Sequence, residues 1–204
     1  MAIGPADYFS GRAQTYRRES EGWLWGRLRR IELRAVLELL RPREGELILD
    51  AGCGGGYYSE ALMREGASVV GTDISREMLR QVHGATGLPV FASDLEHAAA
   101  RPVFDAVASL GALEFCQSPG EAVLGMAGAL RSGGGRVVLM LPARGWGARL
   151  YRYYHARHGV AITLFSVQEL KRMAESAGLR ITEARKAGFN HVVRMEPAGE
   201  AGMR

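Results

Sequence analysis

The chain is poor in the residues that mark most specialised protein classes. Of 204 residues only two are Cys, Cys53 and Cys116. They can form at most one disulfide, which excludes a disulfide-stapled secreted scaffold. Proline numbers only 7 and aromatics make up 8%, so neither a proline-rich linker protein nor an aromatic-rich surface module is indicated. No apolar run approaches the roughly 20 residues needed to span a bilayer. Residues 1–16 lack a long apolar core, so no secretory signal is expected. Lysine is nearly absent: of 26 basic residues, all but Lys171 and Lys186 are Arg. No Cys and His share the spacing of a zinc site, and no metal is expected. These absences predict a globular chain for a reducing, cytoplasmic compartment.

What is present fits a folded domain of ordinary size. Hydrophobic residues make up 47% and charged residues 24%, with 27 Gly. That is enough apolar material for a core without staples. The formal net charge is +4. The Arg residues are spread along the chain, which argues against a dedicated nucleic-acid surface. One local cluster, Arg27, Arg29, Arg30 and Arg34, reads as the solvated face of an amphipathic helix.

Periodicity divides the chain into an N-terminal helical arm over 1–43, a larger unit over 44–197 and a frayed tail over 198–204. In the arm, Leu24, Leu28, Ile31, Ala35 and Leu39 recur at helical spacing, with Val36 and Leu40 alongside. The helix ends near Arg41-Pro42. From Glu46 onward, short apolar runs alternate with helical stretches. Strands are expected at Leu47-Ile48-Leu49, Ser68-Val69-Val70-Gly71, Val90-Phe91-Ala92, from Phe104 to Ser109, and from Arg136 to Leu141. Helices are expected from Tyr58 to Arg64, Arg76 to His83 and Glu121 to Leu130. Such alternation predicts a parallel sheet covered on both faces. Residues 143–165 break the pattern and read as a helical insertion on the acceptor side. Ser166 and Glu169 form a capping box for a helix ending at Gly178. Two last strands, near 180–185 and 191–195, are joined too closely for anything but an antiparallel hairpin.

The chemistry concentrates at three strand ends. Leu47 to Tyr57 reads as a strand, an acid, then a glycine turn opening a helix. Asp50 stands at the strand end, followed by Gly52, Gly54 and Gly56. Glycines let a ligand lie against backbone, and the helix start offers free N–H groups. A dinucleotide fingerprint needs Gly or Ala where Tyr57 stands, and a carboxylate at position 50 repels a pyrophosphate. The same carboxylate suits a ligand with an ammonium and a sulfonium. Asp73 ends the second strand, placed to accept from ribose hydroxyls. Asp94 ends the third, placed to accept from an adenine amino group, with the Leu95 N–H near a ring nitrogen. Three acids would then line the C-terminal edge, where open α/β sheets bind ligands.

Leu49 to Gly56 resembles the nucleotide motif of the class I S-adenosylmethionine-dependent methyltransferases, in their small-molecule, type 11-like branch. Thr72 to Leu79 resembles the family's second signature, 104–110 its fourth strand, and 130–136 the turn before its fifth. Residues 165–179 resemble its last helix. The resemblance covers roughly 44–195. It implies a Rossmann-like, doubly wound, seven-stranded sheet in the order 3-2-1-4-5-7-6 with strand 7 antiparallel. It implies S-adenosylmethionine as cofactor and S-adenosylhomocysteine as product. It assigns cofactor contacts to Asp50, Gly52, Gly54, Gly56, Asp73, Ile74, Met78, Asp94, Leu95, Ser109 and Leu110. Residues 8–16 resemble the branch's N-terminal lid, which places Tyr16 against the cofactor's carboxylate with Arg12 beside it. The family's Asp after that Tyr is Arg17 here.

Methyl transfer is an in-line displacement, and an activated cofactor leaves the protein mainly the task of alignment. A hydroxyl or carbon acceptor also needs a base. The candidates are Glu114, His155, His158 and Tyr57. Glu114 lies just beyond strand four, but the His that often follows it in the family is Phe115 here. Cys53 and Cys116 read as packed thiols. The Asn/Asp-Pro-Pro-aromatic motif of nucleic-acid amino methylation is absent after strand four. Aromatic residues of the arm (Tyr8, Phe9, Trp23, Trp25) and the insertion (Trp146, Tyr151, Tyr153, Tyr154, Phe165) are available to wall an acceptor pocket. Arg144, Arg149, Arg152 and Arg157 suit an anionic acceptor or a membrane surface. The expected partner is a small-molecule acceptor, with no nucleic acid. The alternatives are an RNA or protein methyltransferase, a non-catalytic cofactor-binding protein, and a nicotinamide dehydrogenase, the last disfavoured by Asp50 and Tyr57.

Overall fold

A computed structural model describes residues 4–11, 23–97 and 101–199. Seven strands form one sheet: β1 Leu47–Ala51, β2 Ser68–Asp73, β3 Val90–Ala92, β4 Ala106–Leu110, β5 Arg136–Pro142, β6 Leu179–Ala187 and β7 Asn190–Pro197. Their spatial order is β3-β2-β1-β4-β5-β7-β6. β1 to β5 pair in parallel, and β7 runs antiparallel to both β5 and β6. Sheet order and strand polarity agree with the sequence expectation.

Residues 5–11 form helix α1. The longer helices are α2 Trp23–Leu40, α3 Tyr57–Arg64, α4 Arg76–Thr86, α5 Pro119–Ala129, α6 Trp146–Arg157 and α7 Val167–Ser176. Helices α2, α3 and α4 pack Val36, Leu39, Leu62 and Val82 on one sheet face. Helices α5 and α7 pack Val123, Met126, Leu170 and Ala174 on the other. The central strands β4 and β5 are buried along their full length. That explains why β5 reads as a continuous apolar run and not an alternating one.

Local chemistry sets several boundaries as expected. Ser166 accepts from the Glu169 N–H while Glu169 accepts from the Ser166 N–H, completing the capping box of α7. Arg41 takes a left-handed φ of 49° after α2, and Pro42 follows. The guanidinium of Arg136 donates to the Leu40 and Arg41 carbonyls at that helix end, and that of Arg194 to the Leu39 carbonyl. Arg136 also pairs with Glu46 at 2.6 Å. Two strand arginines thus satisfy the orphan carbonyls of α2 and tie it to the sheet.

One expectation needs correction. The apolar stripe of α2 does not include Ile31, which is 55% exposed, while Glu32 is buried in its place. The helix is rotated so that Leu28, Glu32, Val36 and Leu39 face inward. The insertion 143–165 is chiefly helix α6, bracketed by a parallel bridge between Ala143 and Phe165. It rests on a small separate cluster of Ala148, Ile162 and Leu164 with Phe115, Tyr151 and Phe189. Tyr16, Arg12 and Arg17 lie outside the described residues, as does the chain from 200.

Candidate functional site

A cavity of about 360 Å³ opens at the C-terminal ends of β1, β4 and β5. Its floor is the turn after β1. Gly52, Gly54 and Gly56 all have positive φ, from 50° to 85°, which L side chains rarely adopt. Two of these glycines are also required by packing. A Cβ on Gly52 would stand 2.3 Å from the Ala112 Cβ, and one on Gly56 2.3 Å from the Val82 Cγ2. Gly56 therefore serves the seating of α3 against α4, and it does not line the cavity. Gly52 and Gly54 do line it.

Asp50 enters the cavity from the end of β1 and is 2% exposed. The Ser59 hydroxyl donates to it at 2.5 Å. Burial pushes its carboxyl up to about 6, against the Ser59 bond, with the nearby Asp73 charge adding to the rise. Asp73 anchors the turn: its Oδ2 accepts from the Gly54 N–H at 3.0 Å and its Oδ1 from the Ser75 N–H at 2.9 Å. Burial raises its carboxyl also, against these backbone bonds. The Ile74 N–H is a third backbone donor to it, and since a carboxylate has about four lone-pair sites, about one is left for a further donor.

Asp94 stands beyond β3, with Oδ1 accepting from the Glu96 N–H and Oδ2 near His97 Nδ1 at 3.1 Å. Next to Asp73, Ile74 is 43% exposed, and Phe91 on β3 is similarly open. This apolar edge beside two acids suits the adenosine half of the expected cofactor, and the Asp50 carboxyl suits its ammonium and sulfonium. The residues therefore fit the group chemically. Asp50, Gly52, Gly54 and Leu110 lie in the cavity, whereas Asp73, Ile74, Asp94 and Leu95 stand on the adjoining sheet edge. Two expected contacts are placed elsewhere. Met78 is 1% exposed, its backbone N–H bonded to the Ser75 hydroxyl, and so offers almost no surface to an adenine. Ser109 is fully buried and its hydroxyl has no hydrogen-bond partner.

The other half of the cavity is aromatic and acidic. Tyr8 and Phe9 of α1 reach over it, Phe9 packing edge-on against Phe115 at 5.0 Å. The Ser10 and Ser75 hydroxyls, 2.9 Å apart, fasten α1 to the start of α4. His155 of α6 is buried among Tyr8, Phe115, Tyr151 and Tyr154, with ring centroids 4.5–5.8 Å away. His158 is not in the cavity. It bonds the Tyr154 carbonyl at the exposed end of α6, where a helix terminus offers unpaired carbonyls.

Glu114 is 3% exposed, lines the cavity, and its Oε2 has no hydrogen-bond partner. Burial pushes its carboxyl up to about 8, with the nearby Glu32 charge contributing. Glu32 itself accepts from the Tyr58 hydroxyl at 3.0 Å and from the Asn190 amide at 2.7 Å. Desolvation nonetheless raises it. Both thiols are raised by burial, Cys116 to about 12, so neither is a nucleophile at neutral pH. Among the described residues no three His, Cys, Asp or Glu side chains cluster as a metal site. No helix among them is long and apolar enough to cross a membrane.

Sequence reasoning missed Glu32, Asn190 and Phe189. Glu32 carried one signal: it sits inside the apolar stripe between Leu28 and Val36, where a carboxylate must be paired or functional. Phe189 and Asn190 carried none, because a hairpin end becomes a pocket wall only once β7 pairs with β5.

Comparison with known proteins supports one family. A methyltransferase-domain family matches residues 49–138. Ubiquinone biosynthesis O-methyltransferase from Chromobacterium violaceum is 32% identical over 169 residues, 74% of this chain and 72% of that protein. The tRNA U34 carboxymethyltransferase of Hahella chejuensis is 34% identical over 139 residues, 64% of this chain and 40% of that one. The chain thus spans less than half the length of several curated relatives it matches. In three dimensions it resembles the magnesium protoporphyrin IX methyltransferase from Synechocystis PCC 6803, determined with bound SAH. The TM-score is 0.77 at 17% identity, covering 95% of this chain and 98% of that one. With the glycine turn, the strand-end acids and the 3-2-1-4-5-7-6 sheet in place, the chain belongs to the class I S-adenosylmethionine-dependent methyltransferases.

Proposed function

We propose that the protein transfers a methyl group from S-adenosylmethionine to a small aromatic acceptor held in the cavity beneath α1 and α6. The observation that carries this reading is the wall itself. Tyr8, Phe9, Phe115, Tyr151 and His155 enclose a space that is continuous with the Asp50 end of the glycine turn. Flat apolar walls select a flat apolar ligand, and a few polar groups orient it.

The cofactor supplies an electrophilic methyl on a sulfonium. Asp50 would hold that positive end and Asp73 the ribose. Glu114 and Phe115 line the same cavity as Leu110 and the glycine turn. An acceptor hydroxyl held beside Glu114 would be placed to take that methyl as the sulfur leaves. Its proton would pass to Oε2 of Glu114, which has no hydrogen-bond partner, leaving the methyl ether, a protonated Glu114 and S-adenosylhomocysteine. Relatives named for ubiquinone biosynthesis O-methylation support an oxygen acceptor. A tRNA-modifying relative supports a nucleic-acid acceptor as the second reading.

The deciding assay incubates the full chain with radiolabelled S-adenosylmethionine against phenols, aromatic amines and bulk tRNA in parallel. Label transferred to a phenol, with S-adenosylhomocysteine formed in equal amount, is the expected result. Label in tRNA alone overturns the small-molecule reading. Tight binding of both cofactor forms with no transfer to any class would leave a cofactor-binding protein without this activity.

A further inference from the structure

Helix α6 is apolar on two opposite faces. One face buries Ala148 and His155 over the cavity. On the face turned away, Trp146 is 83% exposed, Leu150 60% and Tyr153 59%. These three recur at i, i+4 and i+7, so they form one continuous ridge. A helix apolar on both faces is normally buried on both. Lone exposed apolar residues are ordinary, but a ridge of them is a contact surface.

The charge around the ridge is one-sided. From Ala143 to Gln168 the sequence has no Asp or Glu, but holds Arg144, Arg149, Arg152 and Arg157. Arg149 and Arg152 flank the ridge, and among the described residues no carboxylate pairs with either. Arg157 lies over the Tyr153 ring at 6.0 Å. Arg144, at the helix start, is neutralised by Glu169 at 2.6 Å.

We infer that the outer face of α6 docks on an anionic lipid surface. Trp146, Leu150 and Tyr153 enter the boundary between headgroups and acyl chains, and Arg149 and Arg152 reach the phosphates beside them. Trp and Tyr favour that boundary, and long Arg side chains reach out from it. A helix with an apolar ridge and only basic charge has the chemistry of an interfacial helix. A second copy of the chain fits poorly: paired about a two-fold axis, the patch would set Arg149 and Arg152 against their own copies. This surface is independent of the methyl-transfer reading. If both hold, docking by α6 brings the cavity, which Tyr151 and Tyr154 of the same helix also line, close to the bilayer.

The test is flotation of the full chain with vesicles of equal parts phosphatidylglycerol and phosphatidylcholine, against vesicles of phosphatidylcholine alone. Binding is expected to the first and to be at least tenfold weaker to the second, with a strong loss at about 0.5 M salt. Leu150→Glu and the pair Arg149→Glu/Arg152→Glu should each lower binding by at least about tenfold. Their melting temperature and S-adenosylhomocysteine affinity should stay at wild-type values, which separates this result from misfolding or a lost cofactor site. Equal affinity for neutral vesicles, no binding, or full binding by the ridge variants each overturns the proposal. So does a wild-type dimer by light scattering that Leu150→Glu makes monomeric, which would assign the ridge to a second copy.

Discussion

Glu114 concentrates the residue-scale argument. It is a buried acid with one unpaired oxygen, in a cavity that also holds two other raised carboxyls. Its ordinary value of 4.5 is pushed up to about 8 by burial. Between those limits the folded chain keeps a proton that the unfolded chain has released. Stability contributed by the neutral form is therefore full below pH 4.5 and is lost as pH rises through about 8. Glu114→Gln removes this slope, which denaturant unfolding at about pH 6 and about pH 9 measures. If Glu114 takes the acceptor's proton, methyl transfer rises with pH toward that same value. The Gln variant then loses about 10²–10⁴-fold in kcat, and its pH profile flattens. A Gln variant with wild-type kcat would remove Glu114 from the chemistry. Asp73 is tested by binding alone. Asp73→Ala should weaken S-adenosylhomocysteine at least about tenfold, about 1.4 kcal/mol, by calorimetric titration. Unchanged affinity in a folded variant would leave Asp73 only the task of holding the Gly54 turn.

At the scale of elements, the turn between β1 and α3 joins packing to ligand binding. Gly56 caps α3 with a φ of 81°, and any side chain there meets Val82 of α4. Gly56→Ala should destabilise the domain by about 1–3 kcal/mol, read as a lowered denaturation midpoint. Cofactor affinity should fall with it, because the displaced α3 carries Ser59, the donor to Asp50. These elements were largely legible beforehand. The Ser166–Glu169 box, the glycine stop at 178 and the short hairpin connection are local chemistry, and local chemistry is written in consecutive residues. The rotation of α2 was not legible. Its apolar residues span a stripe wide enough to permit either Ile31 or Glu32 inside. The choice is made by Tyr58 and Asn190, which come from α3 and β7 and bond Glu32.

At the scale of the molecule, two large clusters on opposite sheet faces hold the fold, and neither contains a residue of α1. Tyr8 and Phe9 pack on the cavity wall, not in the core beneath it. Deleting residues 1–18 should therefore leave a cooperatively folded domain, with a melting temperature within about 4 °C of the full chain. Methyl transfer should fall steeply, because the cavity loses its cover against water. Retained turnover in the truncated chain would show that α1 is not part of the working site.

Three acids at successive strand ends, a glycine turn after the first and the β-α alternation were enough, read as sequence alone, to predict a parallel sheet with a ligand-binding edge, and the family resemblance they carry implied its strand order. Each is a local pattern whose meaning does not depend on distant partners. The cavity was decided only by tertiary structure. It joins Tyr8 of α1, Glu32 of α2, Glu114 beyond β4, His155 of α6 and Asn190 of β7, residues up to 182 positions apart in the numbering. Met78 and His158 changed place for the same reason: periodicity names the element a side chain belongs to, and neighbouring elements decide which way that side chain faces.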